Sequence, residues 1–170
     1  PNQRIFIFKI NGIQNSGELT INKSEVSASQ TVVSNSGKIT INGGNYRGGS
    51  YSIYSNTSRE VLITDSELTG TYYNSGSPNS TLGTSKVNGQ FTNNNSTLTV
   101  NKCEINTGRH NSVTNSGTMT LNDSEVNSTS EYIIYAIHKG RIISAIYRVP
   151  VIQIINKITL FIIKYFILNL

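Results

Sequence analysis

The chain has 170 residues, of which 36% are hydrophobic, 14% are charged and one is cysteine, against a usual charged share of about a quarter. One cysteine excludes a disulfide framework or a cysteine-rich zinc module, and so few charges exclude a coiled coil or an acidic disordered tail. The net charge of +5 does not describe the body: residues 1–131 hold nine basic and nine acidic residues, and the excess is Lys139, Arg141, Arg148, Lys157 and Lys164. No basic stripe and no aromatic-rich recognition motif accompanies that charge, so no nucleic-acid partner is expected. Short polar residues take the place of the missing charges, with 22 Asn, 22 Ser and 18 Thr.

Residues 1–10, PNQRIFIFKI, read as an N-terminal edge or cap in which Ile5, Ile7 and Phe8 form a poorly fitting strand. A repeat begins at residue 11. NSGELTINKSEV from Asn15 returns as NSGKITINGGNY from Asn35 and as NSGTMTLNDSEV from Asn115, with looser copies from Arg59, Asn79 and Asn94 between them. Their alignment gives a column of Ile21, Ile41, Ile63, Leu82, Val100 and Leu121, separated by 20, 22, 19, 18 and 21 residues. A period near 20 residues is the mark of a solenoid.

Within each unit the apolar period is two, as in Leu19 and Ile21 against Glu18 and Thr20, which predicts a strand with one buried face. After a polar turn position the alternation resumes one step displaced, with Ser24 and Val26 inward and Glu25 outward. A third apolar position precedes each NSG and is read as Ile13, Val33, Tyr54, Tyr73, Phe91 and Val113. Three short strands joined by Asn, Gly and Ser corners follow. Such a unit cannot bury its apolar face alone, so stacking must supply its stability. The sequence therefore predicts an all-β, right-handed parallel β-helix of six to seven rungs over residues 11–145, its corner residues Asn22, Asn42, Asn101 and Asn122 forming an amide ladder that Thr64 and Gly83 interrupt.

The phrase NSGxLTIN followed by SEV resembles the repeats of bacterial right-handed parallel β-helix proteins, the adhesin-like surface proteins and autotransporter passenger domains. That resemblance implies a non-enzymatic structural or adhesin-like module, a piece of a larger bacterial protein. It also implies a place at the cell surface or outside the cell, with host or cell-surface glycans or proteins as partners. The alternative is a carbohydrate-active enzyme of the same fold, a polysaccharide lyase or hydrolase lacking its catalytic rungs.

Candidate sites are few, and neither catalytic residues, nor a metal, nor a cofactor is expected. An outward column of Glu25, Asn45, Glu67, Lys86, Glu104 and Glu125 would set Glu104 and Glu125 one rung apart, about 5 Å, the carboxylate separation of a retaining glycosidase. Duplication of a solvent-facing position gives the same column without catalysis. Asp65 and Asp123 lie in separate rungs among Lys23, Gly43, Thr84 and Lys102, Gly108–Arg109–His110 reads as a solvated corner, and His138 has no metal partner nearby. Cys103 falls in a column of small inward residues and reads as packing. The Asn-X-Ser/Thr triplets at Asn56, Asn79, Asn95, Asn122 and Asn127 are what this composition yields by chance. Tyr46, aligned with Val26, is expected in the core, whereas Tyr51 and Tyr72 lie in longer corners and are the candidates for stacking against a sugar ring or a partner protein.

From Tyr132 a seventh rung starts, and at Ser144 and Ala145 the pattern fails. Residues 146–170 then form a hydrophobic, basic tail outside the repeat, 14 of its last 20 residues being apolar. Lys157 and Lys164 interrupt it as a membrane anchor, its isoleucines disfavour an interfacial helix, and its composition also fits an out-of-frame product of AT-rich DNA or an unusual cap. Membrane contact is expected only if the tail is an anchor, and oligomeric state is left open.

Overall fold

The computed structural model describes residues 4–107, 113–128, 134–136, 141–143 and 146–148. It is an all-β parallel solenoid of about six turns with a spacing near 20 residues, and every strand pairing is parallel. Each turn has three sides. In the first complete turns these are residues 18–22, 24–28 and 31–35, whose counterparts one turn on are 38–42, 44–48 and 51–55.

The first side carries the column expected from the repeat. Ile21 pairs with Ile41, Ile41 with Ile63, Ile63 with Leu82, Leu82 with Val100 and Val100 with Leu121. All six are buried, and the five above Ile21 have no exposed surface. The second side buries Val26, Tyr46, Leu68, Val87, Ile105 and Val126, again in register from turn to turn.

Between these two sides the chain turns at Lys23, Gly43, Asp65, Thr84, Lys102 and Asp123, all with positive φ, from 45° at Lys23 to 79° at Gly43. One residue in this left-handed region bends the chain from one side to the next and shifts the in/out alternation by one position, which is why Ser24 and Val26 point inward after Ile21. A β-branched residue is a poor occupant of that region, so Thr84, at φ 47°, is the strained member of the column.

The third side differs from the sequence alignment at two positions. Its inward column is Ile13, Val33, Ile53, Tyr72, Phe91 and Val113, so Ile53 and Tyr72 occupy the places assigned to Tyr54 and Tyr73. The reason lies in the spacing to the ladder residue: Ile13, Val33, Phe91 and Val113 stand two residues before Asn15, Asn35, Asn93 and Asn115, and Ile53 and Tyr72 stand two before Ser55 and Asn74. Taking Tyr54 and Tyr73 instead reads the strand one residue late, and a slip of one exchanges its two faces. The corners that follow differ in length: three residues separate Asn35 from Ile39, but five separate Ser55 from Val61 and five separate Asn74 from Ser80. Ser52 forms a bulge that absorbs the mismatch between the third and fourth turns, and its Oγ donates to the carbonyls of Gly70 and Thr71, at 3.4 and 3.2 Å.

Arg4–Phe8 joins the ladder as a strand against residues 24–28, Phe6 falling opposite Val26. It is the outermost described strand at that end, and Ile5, Phe6, Ile7 and Ile10 are exposed. At the other end Ile134–Ala136, Arg141–Ile143 and Ile146–Arg148 extend the ladder on its three sides, to a point three residues beyond position 145. The rest of the C-terminal tail, His138 and the corner 108–110 lie outside the described residues.

Candidate functional site

Three sets of side chains run along the solenoid and decide what its surface and corners can do. The first is amides. On the outside, Asn42 Nδ2 donates to Asn22 Oδ1 at 2.9 Å and Asn122 Nδ2 to Asn101 Oδ1 at 2.7 Å, with Thr64 and Gly83 in the turns between them. A second ladder, which the repeat alignment passes over, is built from the first residue of NSG. Asn15 donates to Asn35 at 2.7 Å, Asn35 to Ser55 Oγ at 3.0 Å, Asn74 to Asn93 at 3.3 Å and Asn93 to Asn115 at 2.8 Å. From Asn35 onward these residues are buried. The same side chains hold their own corners, since Asn15, Asn35 and Asn115 accept from the N–H of Gly17, Gly37 and Gly117 at 3.2 Å. A third, shorter ladder runs from Asn127 to Asn106 to Asn88 and ends on Glu67, each step 3.1 Å.

The second set is the charged column on the outer second side. Glu25, Asn45, Glu67, Lys86, Glu104 and Glu125 are in register as expected. Lys86 bridges to Glu104 at 3.2 Å, and Asn106 Nδ2 donates to the same carboxylate at 2.8 Å. The Asn106 hydrogen bond, helped by Lys86, holds the Glu104 carboxyl below the ordinary carboxylate range. Beside this column a shallow depression of about 490 Å³ is lined by Asp65, Glu67, Lys86, Lys102 and Glu104. Among the described residues no three of His, Cys, Asp and Glu converge on a point where a metal ion would sit.

The third set is aromatic, and here one expectation is corrected. Tyr72 is fully buried, stacked at 4.8 Å on Phe91 in the inward column, and is no surface ligand-binding residue. It stands two residues before Asn74, as Val33 stands before Asn35, and that spacing turns it inward. Its hydroxyl has no hydrogen-bond partner, and burial pushes its pKa up. Among the residues whose side chains are described, the outward tyrosines are Tyr51, Tyr54 and Tyr73, all half-buried. Tyr54 and Tyr73 stack one turn apart, centroids 4.9 Å and planes 8° apart, and Tyr51 meets both edge-on at 5.2 and 6.4 Å. Tyr46 is core, as expected, and burial pushes its pKa up to about 12.

Cys103 stands in the column of Ser66, Ser85 and Ser124. Its thiol donates to the carbonyls of Asn101 and Leu82, at 3.2 and 3.4 Å, much as Ser124 Oγ donates to the carbonyl of Asn122 at 2.9 Å. Burial raises its pKa, so it packs as a neutral thiol.

The class these features define is a parallel β-solenoid with asparagine ladders. No protein-family model, no curated protein and no solved structure matches the chain at a significant level.

Proposed function

We propose that the chain is a non-enzymatic structural module of the adhesin-like type, displayed at a cell surface or secreted, whose outer faces meet glycans or proteins. The observation that carries this reading is the state of Glu104. A general acid needs a carboxyl whose pKa is raised toward neutrality, whereas Glu104 is ion-paired, accepts a hydrogen bond from an amide and has its pKa lowered. The depression beside it is shallow and open, and its wall alternates Glu67, Lys86 and Glu104 in one ladder, which suits mutual neutralisation on a solvated face.

Two measurements test the proposal. Purified protein incubated with polygalacturonate and with neutral glucans is expected to release no new reducing ends; turnover lost in Glu104→Gln would overturn the reading. Antibody raised against the solenoid is expected to label intact producing cells or their medium, and a signal found only after lysis would overturn the placement.

A further inference from the structure

The three sides of the solenoid differ sharply in charge. The first side carries Glu18, Lys38 and Glu60 in neighbouring turns, with Lys38 and Glu60 bridged at 3.1 Å, and the second carries the glutamate column. The third side, residues 13–15, 31–35, 51–56, 71–75, 91–94 and 113–115, contains no charged residue at all. Tyr51, Tyr54 and Tyr73 stand on this side.

We propose that Tyr51, Tyr54 and Tyr73 form a binding site for a neutral saccharide, an inference that rests on the reading of the solenoid as a displayed, non-catalytic surface and names its ligand class. The column containing the stack runs Gln14, Ser34, Tyr54, Tyr73, Thr92 and Thr114, and continues to position 135. The residues directly below and above the stacked pair are thus Ser34 and Thr92, too short to cover a phenol ring. Tyr51, standing edge-on beside the pair between Thr31 and Thr71, supplies a second ring direction. The cluster is preorganised: ring contacts fix the three side chains against one another, and Asn94 Nδ2 donates to the Tyr73 hydroxyl at 3.3 Å.

Aromatic faces bordered by hydroxyls and amides fit a pyranose, whose C–H face packs on a ring while its equatorial hydroxyls meet the polar border. The lack of charge selects against the alternatives. An anionic polysaccharide or a phosphate headgroup would find no cation on this side to pair with, and a charged protein surface would lose solvation with nothing in return.

The test is a titration of the full chain with cellohexaose, maltohexaose and laminarihexaose, read by the ¹³C-resolved ring signals of its nine tyrosines, with reducing ends assayed in the same tubes. Saturable shifts confined to Tyr51, Tyr54 and Tyr73 with at least one of the three sugars are expected. Tyr54→Ser and Tyr73→Thr install residues this column already holds at Ser34 and Thr92, so the fold should tolerate them, and each should weaken binding about ten-fold or more. Tyr72→Phe should leave the affinity unchanged. No saturable shift up to about 10 mM of any of the three sugars, or binding that survives the Tyr54→Ser/Tyr73→Thr pair, would overturn the site. So would concentration-dependent sedimentation that the pair abolishes, which would reassign the patch to contact between copies. New reducing ends would instead sink the non-enzymatic reading, so the two failures are distinguishable.

Discussion

The second turn and the third and fourth turns of this solenoid are built from nearly the same word and obey different rules. In the second turn the chain goes from Asn35 to Ile39 through three residues, every side stays in register with the turn below, and the corner is so tight that a Cβ on Gly37 would run into the backbone of Gly17. In the third and fourth turns the same corner has five residues, a bulge at Ser52 interrupts the register between them, and Ser55 stands where an asparagine would continue the buried ladder. Regularity fixes the stack and leaves little to vary. The irregular turns are where the tyrosines come to the surface.

The largest effect should come from the tight corner. Gly37→Ala is expected to cost more than about 3 kcal/mol in denaturant unfolding, because backbone of the turn below must move. Gly17→Ala places its Cβ where nothing lies within 4 Å and should change stability by less than about 0.5 kcal/mol. Equal costs at the two sites would mean that the close stacking of corners is not what demands glycine.

Next in size is the contrast between ladders. Asn93, fully buried, gives its Nδ2 to Asn115 Oδ1 and to the carbonyls of Ser96 and Thr118, so Asn93→Ala should cost about 2 to 3 kcal/mol. Asn42, exposed, gives its amide to Asn22 alone, and Asn42→Ala should cost no more than about 0.5 kcal/mol. Thermal unfolding of the two variants measures the difference between a buried and a wet ladder.

Smaller gains should come from regularising the middle turns. Ser55→Asn would join Asn35 to Asn74, whose Oδ1 is buried without a partner, and is expected to add about 1 kcal/mol. Thr84→Asn relieves a β-branched residue at positive φ and should add up to about 1 kcal/mol. Loss of stability in Ser55→Asn would show that the long corner needs the smaller side chain.

The last effect is silent at neutral pH and emerges only in alkali. Tyr46 is held neutral with a pKa of about 12 against an ordinary value of 10.0. Its raised value means that the unfolded chain ionises first, so the stabilisation is complete below pH 10 and is lost as pH rises from 10 toward 12. Tyr72 is shifted in the same direction. The unfolding midpoint should fall across that window, and Tyr46→Phe with Tyr72→Phe should flatten the fall.

Where local pattern and long-range register agreed, the sequence was legible. Ile21 to Leu121 could be placed because period two inside a period of twenty leaves one solution, and Asn22 and Asn42 because they end that strand. Tyr72 was misplaced because Tyr73, directly before the asparagine, is equally apolar and aromatic, although Ile13, Val33, Phe91 and Val113 all lie two residues before theirs: a strand read one residue late still alternates. The buried ladder escaped for another reason. Asparagine before Ser-Gly already has a local explanation as a turn former, and only the register of the turns above and below reveals that Asn35, Asn93 and Asn115 also hold one turn to the next. The tyrosine cluster needed the register too, since Tyr54 and Tyr73 are partners in one column and Tyr51 stands beside them next to the bulge at Ser52, which has no motif.

The parallel ladder has a mechanical consequence. Every backbone hydrogen bond between turns points along the long axis, so a pull at the two ends is shared by all bonds of a joint at once, while a pull that peels one strand sideways meets them singly. Twenty residues advance the structure by only about 4.8 Å, where the same length of helix would advance it by about 30 Å. The chain thus trades reach for girth, giving a short, stiff post with three broad flanks.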